Sequence, residues 1–92
     1  MKYKIVLSRD AEKAYQHLNT GDFLAISRVI HSLGDEPWPT SAGSVRSARN
    51  KGKNYYRIRV RDYRVIYSVD NEKTIVYVER IARRSEKTYR GL

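Results

Sequence analysis

The sequence predicts an α+β fold, in which an N-terminal strand and an antiparallel helical hairpin pack on a twisted, mostly antiparallel sheet of about four to five strands. Three observations lead to this prediction. Apolar residues recur at helical spacing in the first third of the chain, apolar and polar residues alternate in the second half, and turn-forming residues separate the segments. A length of 92 residues suffices for one small domain, residues 1–92, and the absence of cysteine excludes disulfides.

The first strand is predicted over residues 2–8, where alternate apolar side chains share one face. These side chains are those of Tyr3, Ile5 and Leu7. Ser8 offers an N-cap for a helix over about 9–19, and two acidic residues follow in the first turn, where the helix dipole favours negative charge.

A second helix is predicted over roughly 22–34, with Asp22 as its N-cap and Gly34 as its C-cap. Because only a three-residue turn separates the two helices, they form an antiparallel hairpin. Residues 35–43 contain both prolines and are interpreted as a surface loop, in which Trp38 is expected to pack.

The second half of the chain is predicted to form strands. Alternation and intervening turns place four of them, at 45–48, 55–61, 63–69 and 74–81. Residues 83–89 are interpreted as a short helix or tail.

Net positive charge is confined to the second half. Residues 1–45 hold five basic and five acidic residues, so the whole formal net charge of +9 comes from residues 46–92. Strand alternation places Arg57, Arg59 and Arg61 on one face of the sheet, and Arg64 of the next strand is expected to join them. If the helices cover the apolar face, these arginines line the opposite one, the open face. Such a face predicts binding of single-stranded nucleic acid, with phosphates on arginine and bases on tyrosine.

Familiar catalytic and metal-binding motifs are missing from the sequence. There is no P-loop, dinucleotide-binding glycine motif or HExxH, and the two histidines, His17 and His31, are spaced as in no metal motif. Asp62 and Glu79 are conceivable general bases, but each is interpreted as balancing an arginine neighbour. No cofactor is expected. No apolar run is long enough to span a membrane and no secretory signal is recognised, so we expect a cytoplasmic protein.

Three segments together resemble the RelE/ParE toxin superfamily. They are Tyr-Arg-Ile-Arg-Val-Arg-Asp-Tyr-Arg-Val-Ile-Tyr at 56–67, Ser-Arg-Asp-Ala at 8–11 and Arg-Arg-Ser-Glu-Lys-Thr-Tyr-Arg at 83–90. The resemblance implies a RelE-like fold and the toxin of a type II toxin–antitoxin system. It further implies an mRNA interferase, that is, a metal-independent, ribosome-dependent endoribonuclease that cleaves mRNA in the A site and inhibits translation.

The resemblance also implies catalytic roles for five residues. Arg57 and Arg59 match two basic positions on the active-site strand that are often lysine. Arg64 matches an arginine that stabilises the scissile phosphate. Arg84 matches a C-terminal basic residue that stabilises charge or protonates the leaving oxygen, and Tyr89 matches a tyrosine that orients the substrate or stacks on it.

A second group of basic residues is expected to bind RNA around this site. These residues are Lys51, Lys53, Arg61, Arg83 and Lys87. With arginine at 57 and 59, the family's lysine base is absent there, and arginine holds its proton too tightly to replace it. Either a lysine of the 51–53 turn reaches the site, or attack relies on orientation and electrostatics.

The resemblance implies partners as well. A cognate antitoxin is implied, which wraps the toxin with an acidic segment. The toxin is implied to bind the ribosome and mRNA directly, and to be linked to operator DNA only through the antitoxin. Two alternatives are a ParE-like, non-catalytic inhibitor of DNA gyrase and a degenerate toxin homologue that only binds RNA.

Overall fold

A computed structural model describes residues 2–39, 43–45 and 54–83. Two helices and five strands follow in the order β1 (Lys4–Leu7), α1 (Arg9–Gln16), α2 (Thr20–Leu33), β2 (Gly43–Val45), β3 (Tyr55–Val60), β4 (Tyr63–Asp70) and β5 (Ile75–Arg83). The strands form one sheet of order β1-β5-β4-β3-β2, in which β1 runs parallel to β5 and the other neighbours are antiparallel. The predicted α+β architecture is confirmed, including its mostly antiparallel sheet.

The helix starts are set by side-chain caps. The Ala11 backbone N–H donates to Ser8 Oγ at 3.1 Å, as predicted for α1. The N-cap of α2 is Asn19 instead of the predicted Asp22, because the Asp22 backbone N–H donates to Asn19 Oδ1 at 2.8 Å. The helix therefore begins at Thr20, two residues earlier than predicted. Gly34 caps the end of α2 as predicted.

The hydrophobic core lies between the helices and one face of the sheet. Its buried members include Ala11, Ile26, Ile30 and Leu33 from the helices and Ile58, Val60, Val65, Tyr67, Val76, Val78 and Ile81 from the sheet. The predicted first-strand face packs here too, through Ile5 and Leu7. Both helices therefore cover one face and leave the opposite face of the sheet for other contacts.

The loop after α2 is tied to the core by a buried tyrosine. The Tyr67 hydroxyl donates to the Pro37 carbonyl at 2.6 Å, and burial raises the pKa of Tyr67 to about 12, with a contribution from Tyr56. Trp38 packs only in part. Its ring lies edge-on to the Tyr3 ring, with 6.1 Å between the ring centroids, and 44% of the residue remains exposed.

Several strand boundaries differ from the prediction. β2 lies at Gly43–Val45 and not at 45–48, and β5 begins at Ile75 and continues to Arg83. β3 ends at Val60 because Arg61 has φ 56 and starts the two-residue turn that joins it to β4. Apart from Arg83, the predicted tail at 83–89 lies outside the described residues. No helix in the described part of the chain is long and apolar enough to cross a membrane.

Candidate nucleic-acid interface

Three of the predicted arginines share the open face, the side of the sheet away from α1 and α2. In the β3–β4 pairing, Arg57 lies opposite Ile66 and Arg59 lies directly opposite Arg64. Their strand neighbours Ile58 and Val65 also form a pair, and that pair lies in the core. Alternation along both strands therefore places Arg57, Arg59 and Arg64 together, as predicted.

A fourth arginine, Arg80, joins this face because of a β-bulge that sequence reasoning missed. In the β4–β5 pairing, Ile66 lies opposite Arg80 but Tyr67 lies opposite Val78, which leaves Glu79 as the extra residue. Arg57 and Arg80 thus flank Ile66 from the two neighbouring strands. The signal was present, because core residues Val78 and Ile81 are three positions apart and a regular strand would alternate by two.

The centre of the open face is shielded from solvent. Ile66 is fully buried there and Ala82, opposite Arg64, is 4% exposed. Arg57 and Arg59 are exposed, and Arg64 and Arg80 are partly buried. The open face therefore presents guanidinium groups around an apolar centre.

Further along the strands, the open face carries hydroxyl, aromatic and carboxylate side chains in place of arginines. Ser68 lies between Tyr55 and Tyr77 in one cross-strand row. Ser68 is 6% exposed, and its hydroxyl donates to Glu79 Oε2 at 3.0 Å. Glu79 is predicted to balance an arginine neighbour; its carboxylate accepts this bond from Ser68, and its backbone carbonyl accepts from Ser8 Oγ at 2.7 Å.

Arg61 lies apart from the predicted arginine row. Its guanidinium pairs with Asp22 Oδ1 at 3.2 Å, at the first turn of α2 on the helix-covered side. Gly21 makes room for this pair, since a Cβ there would lie 3.0 Å from Arg61 Nη1. The strand prediction at residue 61 was wrong because the positive-φ turn redirects the side chain.

Arg83 also lies on the helix side of the sheet. It is paired with core residue Tyr63 across β4 and β5, and its guanidinium carbon lies 5.8 Å from the Tyr63 ring centre. A hydrogen bond with the Tyr63 side chain, helped by Asp22 and Asp62, raises the pKa of Arg83 above its usual value. Arg83 therefore contacts the edge of the core, whereas Arg57 lies on the opposite face of the sheet.

The other predicted site residues lie outside the described part of the chain. They are Lys51, Lys53, Arg84, Lys87 and Tyr89. Both histidines are exposed on the helical hairpin, where the Lys13 carbonyl accepts from His17 Nδ1 at 2.8 Å. Among the described residues, no group of three or more histidine or acidic side chains could hold a metal ion.

Chemically, four guanidinium groups on one face suit a phosphodiester. Each offers paired N–H donors to phosphate oxygens and remains charged at any physiological pH. Within the described open face, the Glu79 carboxylate provides a proton acceptor, and Tyr55 and Tyr77 provide aromatic rings. Arginine donors and aromatic rings are groups with which proteins contact single-stranded nucleic acid.

Comparison with known proteins places these features in a family. Residues 5–88 match the family described as "ParE toxin of type II toxin-antitoxin system, parDE". No curated protein matches the sequence.

Several solved structures share the fold. A chain of the archaeal RelE-RelB complex from Pyrococcus horikoshii OT3 superimposes with a TM-score of 0.79 at 25% identity, covering 94% of this chain and 99% of that one. A chain of the intact E. coli RelBE toxin-antitoxin complex gives 0.74 at 20% identity, with 91% and 99% covered. The YoeB/ParE toxin from Agrobacterium tumefaciens gives 0.72 at 15% identity, with 87% and 96% covered.

Proposed function

The chain belongs to the ParE toxin family of type II toxin–antitoxin systems, within the RelE/ParE superfamily, and we propose that it is an endoribonuclease that cleaves ribosome-bound mRNA and so inhibits translation. One observation carries this proposal. Arg59 and Arg64 are directly opposed on the open face, with Arg57 two residues away from Arg59 on the same strand. Like charges directly across a sheet repel each other, and a phosphodiester bound between them would offset that cost.

The proposed reaction is attack by the RNA's own 2′-oxygen. This oxygen forms a bond to the adjacent phosphorus, the bond from phosphorus to the 5′-oxygen breaks, and a 2′,3′-cyclic phosphate and a 5′-hydroxyl result. The 2′-hydroxyl loses a proton and the leaving 5′-oxygen gains one. Arg57, Arg59 and Arg64 would bind the phosphate and stabilise the negative charge that grows on it in the transition state.

Two further residues enter the proposal through the family resemblance. Arg84 would stabilise charge or supply the proton to the 5′-oxygen, and Tyr89 would orient the substrate. Lys51, Lys53 and Lys87 would add contacts to the RNA backbone. Arg61 and Arg83 are left out of the proposed RNA surface because they lie against Asp22 and Tyr63 on the helix side.

A cognate antitoxin is the expected partner, because the E. coli relative was solved as a toxin-antitoxin complex. The net charge of +9 favours an acidic antitoxin segment that orders on binding. Operator DNA would be reached only through that antitoxin. The proposed site of action is the ribosome, in the cytoplasm.

A second candidate, inhibition of DNA gyrase without catalysis, is favoured by the family match itself, which is to ParE toxins. A translating extract separates the two functions. The nuclease predicts new 5′ ends inside codons of translated mRNA, whereas the gyrase inhibitor leaves mRNA intact and stops supercoiling by purified gyrase. RNA binding without cleavage would identify a degenerate homologue.

The variant Arg64→Ala tests the assignment of the open face. It should abolish mRNA cleavage while leaving antitoxin binding largely intact. Arg28→Ala is the matched control, because Arg28 is exposed on α2. Its substitution also removes one positive charge, but at a position outside the open face. Full cleavage by Arg64→Ala would overturn the proposed site.

A further inference from the structure

The last residue of β5, Arg83, is held in place by a buried ring. It pairs with Tyr63, the first residue of β4, in the row that ends this part of the sheet. Tyr63 is 9% exposed, its hydroxyl accepts a hydrogen bond from the Arg83 side chain, and the guanidinium carbon lies 5.8 Å from the ring centre. A hydrogen bond and a cation–π contact therefore fix this strand end, and the ends of elements open more readily than their centres.

The neighbouring row of the sheet holds Arg64, which binds the phosphate in the proposed function. Arg64 follows Tyr63 in β4, and it lies between Arg59 of β3 and Ala82 of β5. The Ala82 side chain is a methyl group, which has no polar atom that could orient a guanidinium. The pair with Ala82 therefore holds Arg64 through the backbone, and the contact between Arg83 and Tyr63 fixes that backbone one residue further on.

Acidic residues meet the charge of Arg83 on the helix side. Asp62, in the turn between β3 and β4, and Asp22, in the first turn of α2, both attract its guanidinium. Asp22 also pairs with Arg61 at 3.2 Å. These two arginines and two aspartates carry no net charge together, so Arg83 adds little to the field that attracts a polyanion to the open face.

We infer that Arg83 is a positioning residue for RNA cleavage: by clamping Tyr63 it fixes the paired ends of β4 and β5 and so keeps Arg64 at the phosphate, without itself contacting RNA. The inference rests on the proposed function, which makes Arg64 a phosphate ligand. A direct contact between Arg83 and RNA is the competing explanation, because Arg83 is exposed. The two explanations differ in the salt dependence of RNA binding and in the coupling of Arg83 to Tyr63.

Cleavage and binding of RNA by the full chain separate these explanations. Arg83→Ala should lower the rate of cleavage of translated mRNA by about 10–10²-fold, since a shift of about 1 Å in a reacting group can cost 10²-fold. Its binding to an uncleavable 2′-O-methyl oligonucleotide, followed by fluorescence anisotropy, should keep the wild-type slope of log K against log salt concentration. Loss of a phosphate contact would reduce the magnitude of that slope by about 0.7 and would overturn the inference. Arg28→Ala, which removes an exposed charge from α2, should match the wild type in both assays.

A second variant tests whether Arg83 acts through Tyr63. Tyr63→Phe keeps the ring and removes the hydroxyl that accepts the hydrogen bond, so it should lower the cleavage rate by a smaller factor than Arg83→Ala. In the Arg83→Ala background the same substitution should cause no further loss. Losses that multiply in the double variant, or a wild-type cleavage rate in Arg83→Ala, would overturn the inference.

Hydrogen exchange measures the clamp without RNA. The backbone amides of Tyr63, Arg64 and Val65 should exchange faster in Arg83→Ala than in the wild type, while that of Ile26 in the core of α2 should be unchanged. An equal acceleration at Ile26 would mean a general loss of stability and would overturn the inference, as would unchanged exchange in β4. Faster exchange confined to β4, in a chain whose wild type cleaves no mRNA, would support the clamp and overturn only the proposed function.

Discussion

Arg59 and Arg64 lie directly opposite each other on adjacent antiparallel strands, one pair away from the turn that joins them. Opposed like charges cost roughly 0.2–1 kcal/mol in a sheet. We therefore expect Arg59→Ala to leave the free energy of unfolding unchanged or to raise it by up to about 1 kcal/mol. Cleavage of translated mRNA should fall by about 10²-fold, the usual effect of removing one donor that stabilises transition-state charge.

Urea unfolding and the cleavage assay on the same preparation check this prediction. Lys13→Ala is a suitable control, since Lys13 is exposed on α1 and far from the open face in the fold. A large loss of stability in Arg59→Ala would contradict it, because Arg59 would then be a structural residue.

Arg61 holds the left-handed turn position and pairs with Asp22 while its side chain remains 57% exposed. Glycine adopts this backbone conformation without the steric cost of about 1 kcal/mol or more that other residues incur. The exposed ion pair contributes roughly 0–1 kcal/mol. Arg61→Gly should therefore be neutral or slightly stabilising in urea unfolding and should retain most mRNA cleavage. A loss of mRNA cleavage as large as that of Arg59→Ala would show that Arg61 does belong to the RNA-binding residues.

These two arginines show what alternation can and cannot predict. Arg57, Arg59 and Arg64 were placed correctly, since alternation within a strand is a local property. Arg61 was misplaced because the turn uses Arg-Asp and lacks the glycine or asparagine that usually marks such a turn. Arg80 was missed because a bulge depends on the pairing of β5 with β4, which local alternation does not define. The Asn19 cap, by contrast, was a local signal three residues before Asp22.

Ser8 connects α1 to the bulged strand. Its hydroxyl accepts from the Ala11 N–H and donates to the Glu79 carbonyl, so one atom both caps the helix and fixes the bulge. Ser8→Ala should lower the free energy of unfolding by roughly 1–2 kcal/mol, because the helix loses its cap and the Glu79 carbonyl loses the hydrogen bond from Ser8. Ser8→Thr, which keeps the hydroxyl, should lose much less. Equal losses for the two variants in urea unfolding would show that the hydroxyl is not responsible.

Tyr67 makes stability depend on pH in the alkaline range. Its pKa in the folded chain is about 12, against about 10 when unfolded, so the folded state binds the proton more tightly. This contribution is complete below pH 10 and is lost as pH rises toward 12, amounting to about 3 kcal/mol over the whole interval. Tyr67→Phe should cost about 1 kcal/mol near pH 7, through loss of the hydrogen bond to Pro37, and should show a weaker decline above pH 10. Denaturant unfolding of both proteins between pH 8 and pH 11.5 measures the difference. The two curves should converge and then cross at about pH 11, because the wild type loses more than the roughly 1 kcal/mol that separates them at pH 7. Parallel curves would mean that the Tyr67 hydroxyl does not titrate differently in the folded and unfolded states.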